Sequence, residues 1–316
     1  MGAGGAEIQG SAGGRGRVTV MSRALHLIQP RRAAQSAGLV DKIAIVGLGC
    51  IGGSLALAAR EIWPTALVIG VDANDVVEKA MLRHAVDVAS HDLGIVGDAG
   101  LIVLTHDEAR NADVLAHLPR HVEGAAIVTD TAGTKTGIVE AAKALPRRLA
   151  FIGGHPLVEP HEGGIDAARP DFFAASQWVL VPPEPPNDEA FDRLWRVVSD
   201  LGALPASMTA AKHDRLVAWL SHLPALVVAS LLETLGRSVA AGDLRFAGSP
   251  LTELAGLVPS SPAEWAARCQ ATSGELGAAL DECIESLQQL RGRLSDGQVL
   301  EDCARRALAF RQKAAP

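Results

Sequence analysis

Two histidines stand in settings that suit proton transfer. His155 follows two glycines and precedes a proline in the stretch GGHP, which predicts a stiff turn that presents the imidazole, and His222 lies in SHLP. Imidazole has a pKa of about 6.5, so a presented histidine can polarise a hydroxyl or take its proton near neutral pH. On these residues alone, His155 could equally be a plain turn histidine and His222 a histidine packed within a helix.

A glycine-rich segment supplies a candidate phosphate-binding loop. GLGCIGGS, residues 47–54, has the spacing Gly-x-Gly-x-x-Gly and directly follows the apolar run 43–46. In a dinucleotide-binding loop these glycines make the tight turn, admit the pyrophosphate and let the helix pack on the strand, while the helix N-terminus offers N–H groups to the phosphates. The predicted cofactor-binding residues of this loop are Gly47, Gly49, Cys50, Ile51 and Gly52.

An acidic residue stands where such a cofactor would place its adenosine ribose. Asp72 ends the second apolar strand, and the residues after it are Ala73, Asn74 and Asp75, without an arginine. A carboxylate there accepts hydrogen bonds from the ribose hydroxyls and repels a 2′-phosphate. The sequence therefore predicts NAD as the cofactor and makes NADP less favoured. The alternative is a turn that binds nothing, with Asp72 as a cap of the strand end.

The elements that must position these residues alternate between strands and helices. Apolar runs typical of strands buried on both faces occur at 43–46, 65–72, 99–105, 124–130, 148–154 and 176–183, with helical sequence between the earlier ones. This alternation predicts an α/β fold with a doubly wound, mostly parallel Rossmann-type sheet. A further helix over 189–203 and an edge strand over 204–209 would complete the sheet, and an all-helical C-terminal domain would follow.

Composition divides the chain into three predicted segments. Residues 1–38 are rich in glycine and arginine and predict a disordered leader, with an organelle transit peptide as the alternative. Residues 39–209 form the predicted NAD-binding domain, and residues 210–316 the predicted helical domain for substrate binding and dimerisation.

Charge and cysteine usage exclude several classes of partner. A net charge of −7 disfavours nucleic acid or an anionic membrane as the main partner, and we expect no apolar run of the roughly 18 residues that span a bilayer. The four cysteines are scattered without metal-ligand spacing. They indicate reduced thiols in a cytoplasmic protein, without a metal site.

Several motifs in one order resemble the prephenate/arogenate dehydrogenases. They are GLGCIGGS, TDTAGTK at 129–135, GGHP, KHDRLVAWLSHLP at 212–224 and SSPAEW at 260–265. The resemblance implies an NAD-dependent oxidative decarboxylation of prephenate or arogenate by a homodimer joined through its C-terminal helices. It implies that His155 draws the proton from the substrate hydroxyl and that His222 is a catalytic residue that positions the substrate. The alternatives are a different cyclic or hydroxy-acid substrate of secondary metabolism and a non-catalytic NAD-binding homologue.

The same resemblance implies further contacts after two strand ends. Asp130 and Lys135 match the ends of the family's Asp-x-x-Ser-x-Lys pattern. The remaining predicted contacts are Thr105 and Asp130 for the cofactor, and Thr131, Gly133, Thr134, Lys135 and His222 for the substrate.

The chain also departs from the family pattern. Gly133 replaces the serine that supports the catalytic histidine, Ala225 replaces a second histidine, and Val158, Glu159 and Pro160 replace small residues after GGHP. Glu253 stands where the family has an arginine that binds a substrate carboxylate, so Arg245 or Arg268 would have to supply that cation. These departures weaken the substrate prediction and leave the fold and cofactor predictions intact.

Three other polar pairs have less specific settings. His161 and Glu162 lie in a loop, and His106 and Asp107 follow a strand end and could flank the nicotinamide. His213 and Asp214 are predicted to start a helix, with Asp214 facing the positive end of the helix dipole.

Overall fold

The computed structural model describes residues 39–158, 163–259 and 261–314. The predicted leader 1–38 lies outside the described residues. So do residues 159–162, which include the predicted His161–Glu162 pair.

Eight strands form one sheet. They are β1 (Lys42–Val46), β2 (Leu67–Val71), β3 (Val88–Ser90), β4 (Leu101–Leu104), β5 (Ala126–Asp130), β6 (Leu149–Pro156), β7 (Gln177–Val181) and β8 (Leu204–Ser207). Their spatial order is β3-β2-β1-β4-β5-β6-β7-β8, and the first six run parallel. The predicted doubly wound, mostly parallel sheet is therefore confirmed, and β3 is an addition that the sequence analysis did not include.

Five helices cover the two faces of the sheet. They are α1 (Cys50–Ile62), α2 (Asn74–Leu82), α3 (Glu108–His117), α4 (Thr136–Ala142) and α5 (Asp188–Asp200). Strands β7 and β8 run opposite to the others, because the described part of the β6–β7 connection carries one 3₁₀ turn, Ile165–Ala167, instead of a crossover helix. Parallel order places the ends of β1, β4 and β5 at one edge, where the glycine loop and the stretch 131–135 begin.

The C-terminal part of the described chain is helical, as predicted. Its helices are α6 (Ala210–Val217), α7 (Leu223–Ser238), α8 (Ser249–Ala255), α9 (Pro262–Ala271), α10 (Ser273–Arg291) and α11 (Gly297–Ala314). Residues Ala218–His222 form a π-helical turn between α6 and α7. Pro224 explains this turn, because proline lacks an N–H and its ring clashes with the carbonyl four residues earlier. The N–H of Leu223 bonds instead to the carbonyl of Ala218, five residues back.

The continuous helical run Ala210–Ser238 corrects one expectation. Its 29 residues are long and apolar enough to cross a membrane, by length and composition alone. The prediction that no run reaches this length is therefore wrong, because the few polar residues here are spread among alanine, leucine and valine. Three of those polar residues, His213, Asp214 and His222, are buried against the rest of the chain.

Candidate active site

The glycine-rich loop has the geometry of a dinucleotide-binding turn. Gly47 has a φ of +102°, and a side chain on Gly52 would lie 1.9 Å from the Gly47 carbonyl oxygen. A side chain on Gly49 would meet no described atom within 4 Å, so the backbone there faces open space. Within the described chain, no side chain caps the N-terminus of α1 and its first turn contains no acidic residue. Its free N–H groups therefore suit a pyrophosphate.

Asp72 holds this loop from the end of β2. Its carboxylate accepts hydrogen bonds from the N–H groups of Leu48 at 2.6 Å and Ala73 at 2.7 Å. Asp72 is half-buried, so its carboxylate keeps an exposed part. This position agrees with the predicted contact to the ribose, which stays a prediction.

Two of the other predicted cofactor residues, Cys50 and Thr105, have side chains in contact with backbone carbonyl groups of the protein. The Sγ of the buried Cys50 lies 3.7 Å from the Ala167 carbonyl oxygen, whereas Ile51 is partly exposed. Burial raises the pKa of the Cys50 thiol. The hydroxyl of Thr105 donates to the Gly47 carbonyl oxygen at 2.6 Å. Thr105 therefore fixes the turn, and its hydrogen is already used within the protein.

The predicted His106–Asp107 pair separates into two functions. The His106 ring lies 3.1 Å from the point where a side chain on Gly47 would begin, so it stands beside the loop. Burial lowers the pKa of His106. Asp107 instead caps α3 by accepting a hydrogen bond from the N–H of Arg110 at 2.9 Å.

His155 lies within a strand and not on the turn that its glycines and proline suggest. Strand β6 continues to Pro156 and pairs His155 with Val179 of β7. Gly154 allows this packing, since a side chain there would lie 2.5 Å from the carbonyl oxygen of Asp130. Strand pairing on one side and close backbone contact on the other fix the backbone that carries the imidazole.

A chain of three side chains starts at His155. Its Nδ1 lies 2.8 Å from Nε2 of His213, whose Nδ1 lies 2.8 Å from Oδ1 of Asp214. The carboxylate can only accept, so Nδ1 of His213 carries a hydrogen and its Nε2 accepts one. It follows that Nδ1 of His155 donates, and that Nε2 of His155 keeps its lone pair.

The surroundings keep His155 neutral. Burial within the site lowers its pKa well below the usual range, and the charges of Lys135 and Arg268 lower that pKa further. A neutral imidazole with a lone pair on Nε2 can act as a general base toward a hydroxyl.

Asp214 also joins the helical region to the sheet. It accepts hydrogen bonds from the N–H groups of Lys135 and Thr136, both at 2.8 Å, at the start of α4. Burial raises the pKa of Asp214, but the hydrogen bonds from His213, Thr136 and Lys135 outweigh burial, so that its pKa is lowered on balance. The predicted role of Asp214 at the start of its own helix is wrong, because Thr209 caps α6 and Asp214 caps α4.

Sequence reasoning thus missed the function of His213 and Asp214. Spacing along the chain reports only near neighbours, and the partners of these two side chains lie 58 and 79 residues away. The one available signal was their presence in the stretch KHDRLVAWLSHLP, which carries part of the family resemblance.

Asp130 and Lys135 form an ion pair in which neither side chain is exposed. Asp130 also accepts hydrogen bonds from the N–H groups of Gly154 and Ala132, both at 3.0 Å, and Nζ of Lys135 donates to the Gly154 carbonyl oxygen at 2.7 Å. The pair therefore fixes the residue next to His155. Both side chains are enclosed in this arrangement, and the contacts of Asp130 with the cofactor and of Lys135 with the substrate remain predictions.

The predicted residues between them differ in position. Thr131 and Thr134 are buried, and the hydroxyl of Thr134 donates to the carboxylate of Glu108. Gly133 is half-buried, and the point where its side chain would begin lies 4.0 Å from Nε2 of His155. Of these three predicted substrate residues, Gly133 borders the reactive nitrogen.

His222 presents a second lone pair. Its Nδ1 lies 2.8 Å from the hydroxyl oxygen of Thr272, and that hydroxyl donates to the carbonyl oxygen of Arg268 at 3.2 Å. Since the hydroxyl hydrogen is used, Nδ1 of His222 donates to Thr272 and Nε2 of His222 stays free to accept. Burial, followed by the charge of Arg268, lowers the pKa of His222.

The two candidate replacement arginines lie in different settings. Arg268, in α9, is half-buried and lowers the pKa of both His155 and His222. Arg245 is exposed and stacks on the ring of Phe246, 4.8 Å from its centroid. Glu253 is exposed on α8.

Known proteins match the chain in two consecutive parts. Residues 55–205 match the family model for "Prephenate dehydrogenase, nucleotide-binding domain", and residues 209–305 match that for "Prephenate dehydrogenase, dimerization domain". Prephenate dehydrogenase of Bacillus subtilis strain 168 is 29% identical over 257 residues, which are 79% of this chain and 69% of the relative. "Probable prephenate dehydrogenase NovF" of Streptomyces niveus is 30% identical over 276 residues, which are 85% of this chain and 74% of the relative.

Solved structures show the same fold. Arogenate dehydrogenase of Synechocystis is 32% identical, with a TM-score of 0.76, over 87% of this chain and all of that one. Prephenate dehydrogenase of A. aeolicus, in complex with hydroxyphenyl propionate and NAD+, has a TM-score of 0.81 at 22% identity, over 87% of this chain and 98% of that one. At this lower identity the likeness concerns the fold alone.

These matches agree with the loop geometry and with the order of the motifs. They confirm the predicted class, an NAD-dependent dehydrogenase, and the predicted presence of a dimerization domain. The chain belongs to the prephenate/arogenate dehydrogenase family.

Proposed function

We propose that this dehydrogenase oxidises prephenate or arogenate with loss of CO2, using NAD. The observation that carries the proposal is the hydrogen-bonded series from His155 through His213 to Asp214, which engages Nδ1 of His155 and leaves its Nε2 free. This arrangement suits removal of the proton from a hydroxyl group, while the ring carbon that bears this hydroxyl loses a hydride.

The cofactor residues favour NAD over NADP. Gly47, Gly49 and Gly52 shape the loop that would hold the pyrophosphate, and Asp72 would contact the ribose. A 2′-phosphate in this position would meet the carboxylate of Asp72 without an arginine directly after it. NAD, when bound, supplies the hydride acceptor.

The side chains then divide the proton chemistry. Nε2 of His155 takes the hydroxyl proton, and the bond from its Nδ1–H to His213 stabilises the positive charge that develops. Asp214 acts through His213 by orienting that imidazole. Nε2 of His222 accepts a hydrogen bond from a substrate donor and positions the ring.

The first test is NADH formation at 340 nm, with prephenate and arogenate assayed separately, each with NAD and with NADP. We expect turnover of one of them with NAD. His155→Asn should lower kcat by about 10²- to 10⁴-fold while NAD affinity is kept. His117→Asn, at an exposed position of α3, is the matched control. Wild-type turnover by His155→Asn would contradict the assigned base, and wild-type protein that binds NAD but oxidises neither compound would contradict the proposed substrates.

A homodimer belongs to the same proposal. It is supported by the match to the dimerization domain and by exposed apolar side chains on α10 and α11, such as Leu287, Leu308 and Phe310. We expect light scattering to give the mass of two chains.

A domain boundary near residue 209 is supported by the two family matches, of which the first ends at residue 205 and the second begins at residue 209. A cytoplasmic location remains a prediction.

A further inference from the structure

We infer that Arg268 binds a substrate carboxylate in this chain, in the space that Gly133 leaves open. The inference rests on the proposed function and names the residue that supplies a cation to the site although Glu253 stands at the position of the family's arginine. Gly133 and Arg268 belong together in this inference, because the missing side chain at position 133 makes room for the arginine.

The first argument is contact. The point where a side chain on Gly133 would begin lies 3.2 Å from Cδ of Arg268 and 4.0 Å from Nε2 of His155. A contact of 3.2 Å is tighter than most that real side chains make, so a larger residue at 133 would push the arginine away. The absent side chain therefore lets Arg268 pass beside the reactive nitrogen.

The second argument is charge. Within the described ranges, the guanidinium of Arg268 has no hydrogen bond or ion pair. The neighbouring carboxylates are engaged elsewhere: Asp130 with Lys135, Asp214 with His213, and Glu108 with the hydroxyl of Thr134. A half-buried guanidinium without a partner is suited to a planar carboxylate, which it can bind through two parallel hydrogen bonds.

The third argument is placement. The carbonyl oxygen of Arg268 accepts the hydroxyl of Thr272, which in turn binds His222. The same turn of α9 and its C-terminal cap thus position both the cation and the second histidine.

The chemistry selects which carboxylate the arginine holds. A cation paired with the carboxylate that departs as CO2 would stabilise a charge that the reaction must remove, and so would favour the ground state over the transition state. The proposed substrates carry two carboxylates, one on the ring, which leaves as CO2, and one on the side chain, which stays on the product. We therefore assign Arg268 to the carboxylate of the side chain.

The test measures binding separately from turnover. The probes are 4-hydroxyphenylpropionate and 4-propylphenol, which differ in the carboxylate, titrated calorimetrically into the full chain with saturating NAD. We expect wild-type protein to bind the acid at least 10-fold more tightly than the phenol, and Arg268→Gln to lose most of that ratio. Arg245→Gln, at an exposed arginine, should retain it.

Gly133→Ala is the second variant, because its methyl group would meet the stem of Arg268. It should weaken binding of the acid in the wild-type background and have little further effect in Arg268→Gln. An unchanged ratio in Arg268→Gln, in protein that still binds NAD, would overturn the assignment. If the ratio falls as expected while wild-type protein oxidises neither prephenate nor arogenate, the proposed substrates fail and the assignment of Arg268 stands.

Discussion

Replacing Asp214 by asparagine tests whether the carboxylate sets the protonation of His155 through His213. The amide is neutral, so the hydrogen bond from Nδ1 of His213 loses its charge assistance. If the amide turns its NH2 group toward His213, that imidazole must accept at Nδ1 and donate at Nε2. His155 would then accept at Nδ1 and carry its hydrogen on Nε2, where it cannot act as a base.

The expected magnitude follows from the position of Asp214 in this chain of hydrogen bonds. A wrong tautomer at a histidine in direct contact with its carboxylate lowers kcat by about 10⁴-fold. Asp214 acts through one further imidazole, so we expect kcat to fall by about 10- to 100-fold, which corresponds to about 1.4–2.7 kcal/mol in the barrier. NAD affinity should not change, because the hydrogen bonds of Asp214 among the described residues go to His213, Lys135 and Thr136 and not to the glycine loop.

Stability should fall as well. The carboxylate receives three hydrogen bonds, from Nδ1 of His213 and the N–H groups of Lys135 and Thr136. Weakening them should cost about 1–3 kcal/mol of unfolding free energy. For a chain of this size that lowers Tm by roughly 2–10 °C.

The assay is kcat as a function of pH at saturating NAD, together with thermal unfolding. Lys212→Gln, an exposed change on the same helix, is the control and should leave both unchanged. A variant that loses stability but keeps wild-type kcat would show that Asp214 only caps α4. That result would refute the connection from Asp214 to the base.

Two further predictions concern the glycine loop and pH. Gly49→Ala faces open space, so this variant should fold normally while its NAD binding weakens by about 10-fold. The side chain of Gly52→Ala would meet a loop carbonyl at 1.9 Å, so this variant should lose both NAD binding and stability. Fluorescence titration measures the NAD binding of both variants, and Tm measures their stability. The pKa values of His106, His155 and His222 are all lowered in the folded chain, in each case first by burial. Below a pH of about 6.5 the unfolded chain therefore binds more protons than the folded chain, and the unfolding free energy should fall as the pH drops. Urea midpoints between pH 5 and 8 measure this, and a midpoint that is flat with pH would contradict the three shifts.

The parts of this molecule that could be predicted from sequence are those fixed by local pattern. The strand 43–46 and the glycine spacing after it are contiguous, so their geometry follows from a dozen residues. The sequence analysis predicted the strand that becomes β7 but not its antiparallel direction. The described part of the segment between 157 and 176 has only one short helical turn, which is too little for the crossover that a parallel strand needs. Strand β6 extends through His155 because β7 pairs with it, and that pairing depends on residues far along the chain.

The site depends still more on long-range contacts. The sequence gives Asp130 and Lys135 only as the two ends of one motif. The structure pairs them in the interior, because each lies opposite the backbone of Gly154. The sequence also could not distinguish Arg245 from Arg268, since the difference between them is the distance to Gly133 and to the two histidines. Both cases concern which groups meet in space, and residue type and spacing do not report that.

The π-helical turn at Ala218–His222 determines which way two histidines face. His213 and His222 are nine positions apart, and at about 100° per residue a regular α-helix would place them about 180° apart, on opposite sides. A π turn holds one extra residue, which reduces the angle by about 100° and brings both imidazoles within about 80° of each other. The irregularity that Pro224 imposes is therefore what allows a single helical run to supply a partner for His155 and a second acceptor to the same site.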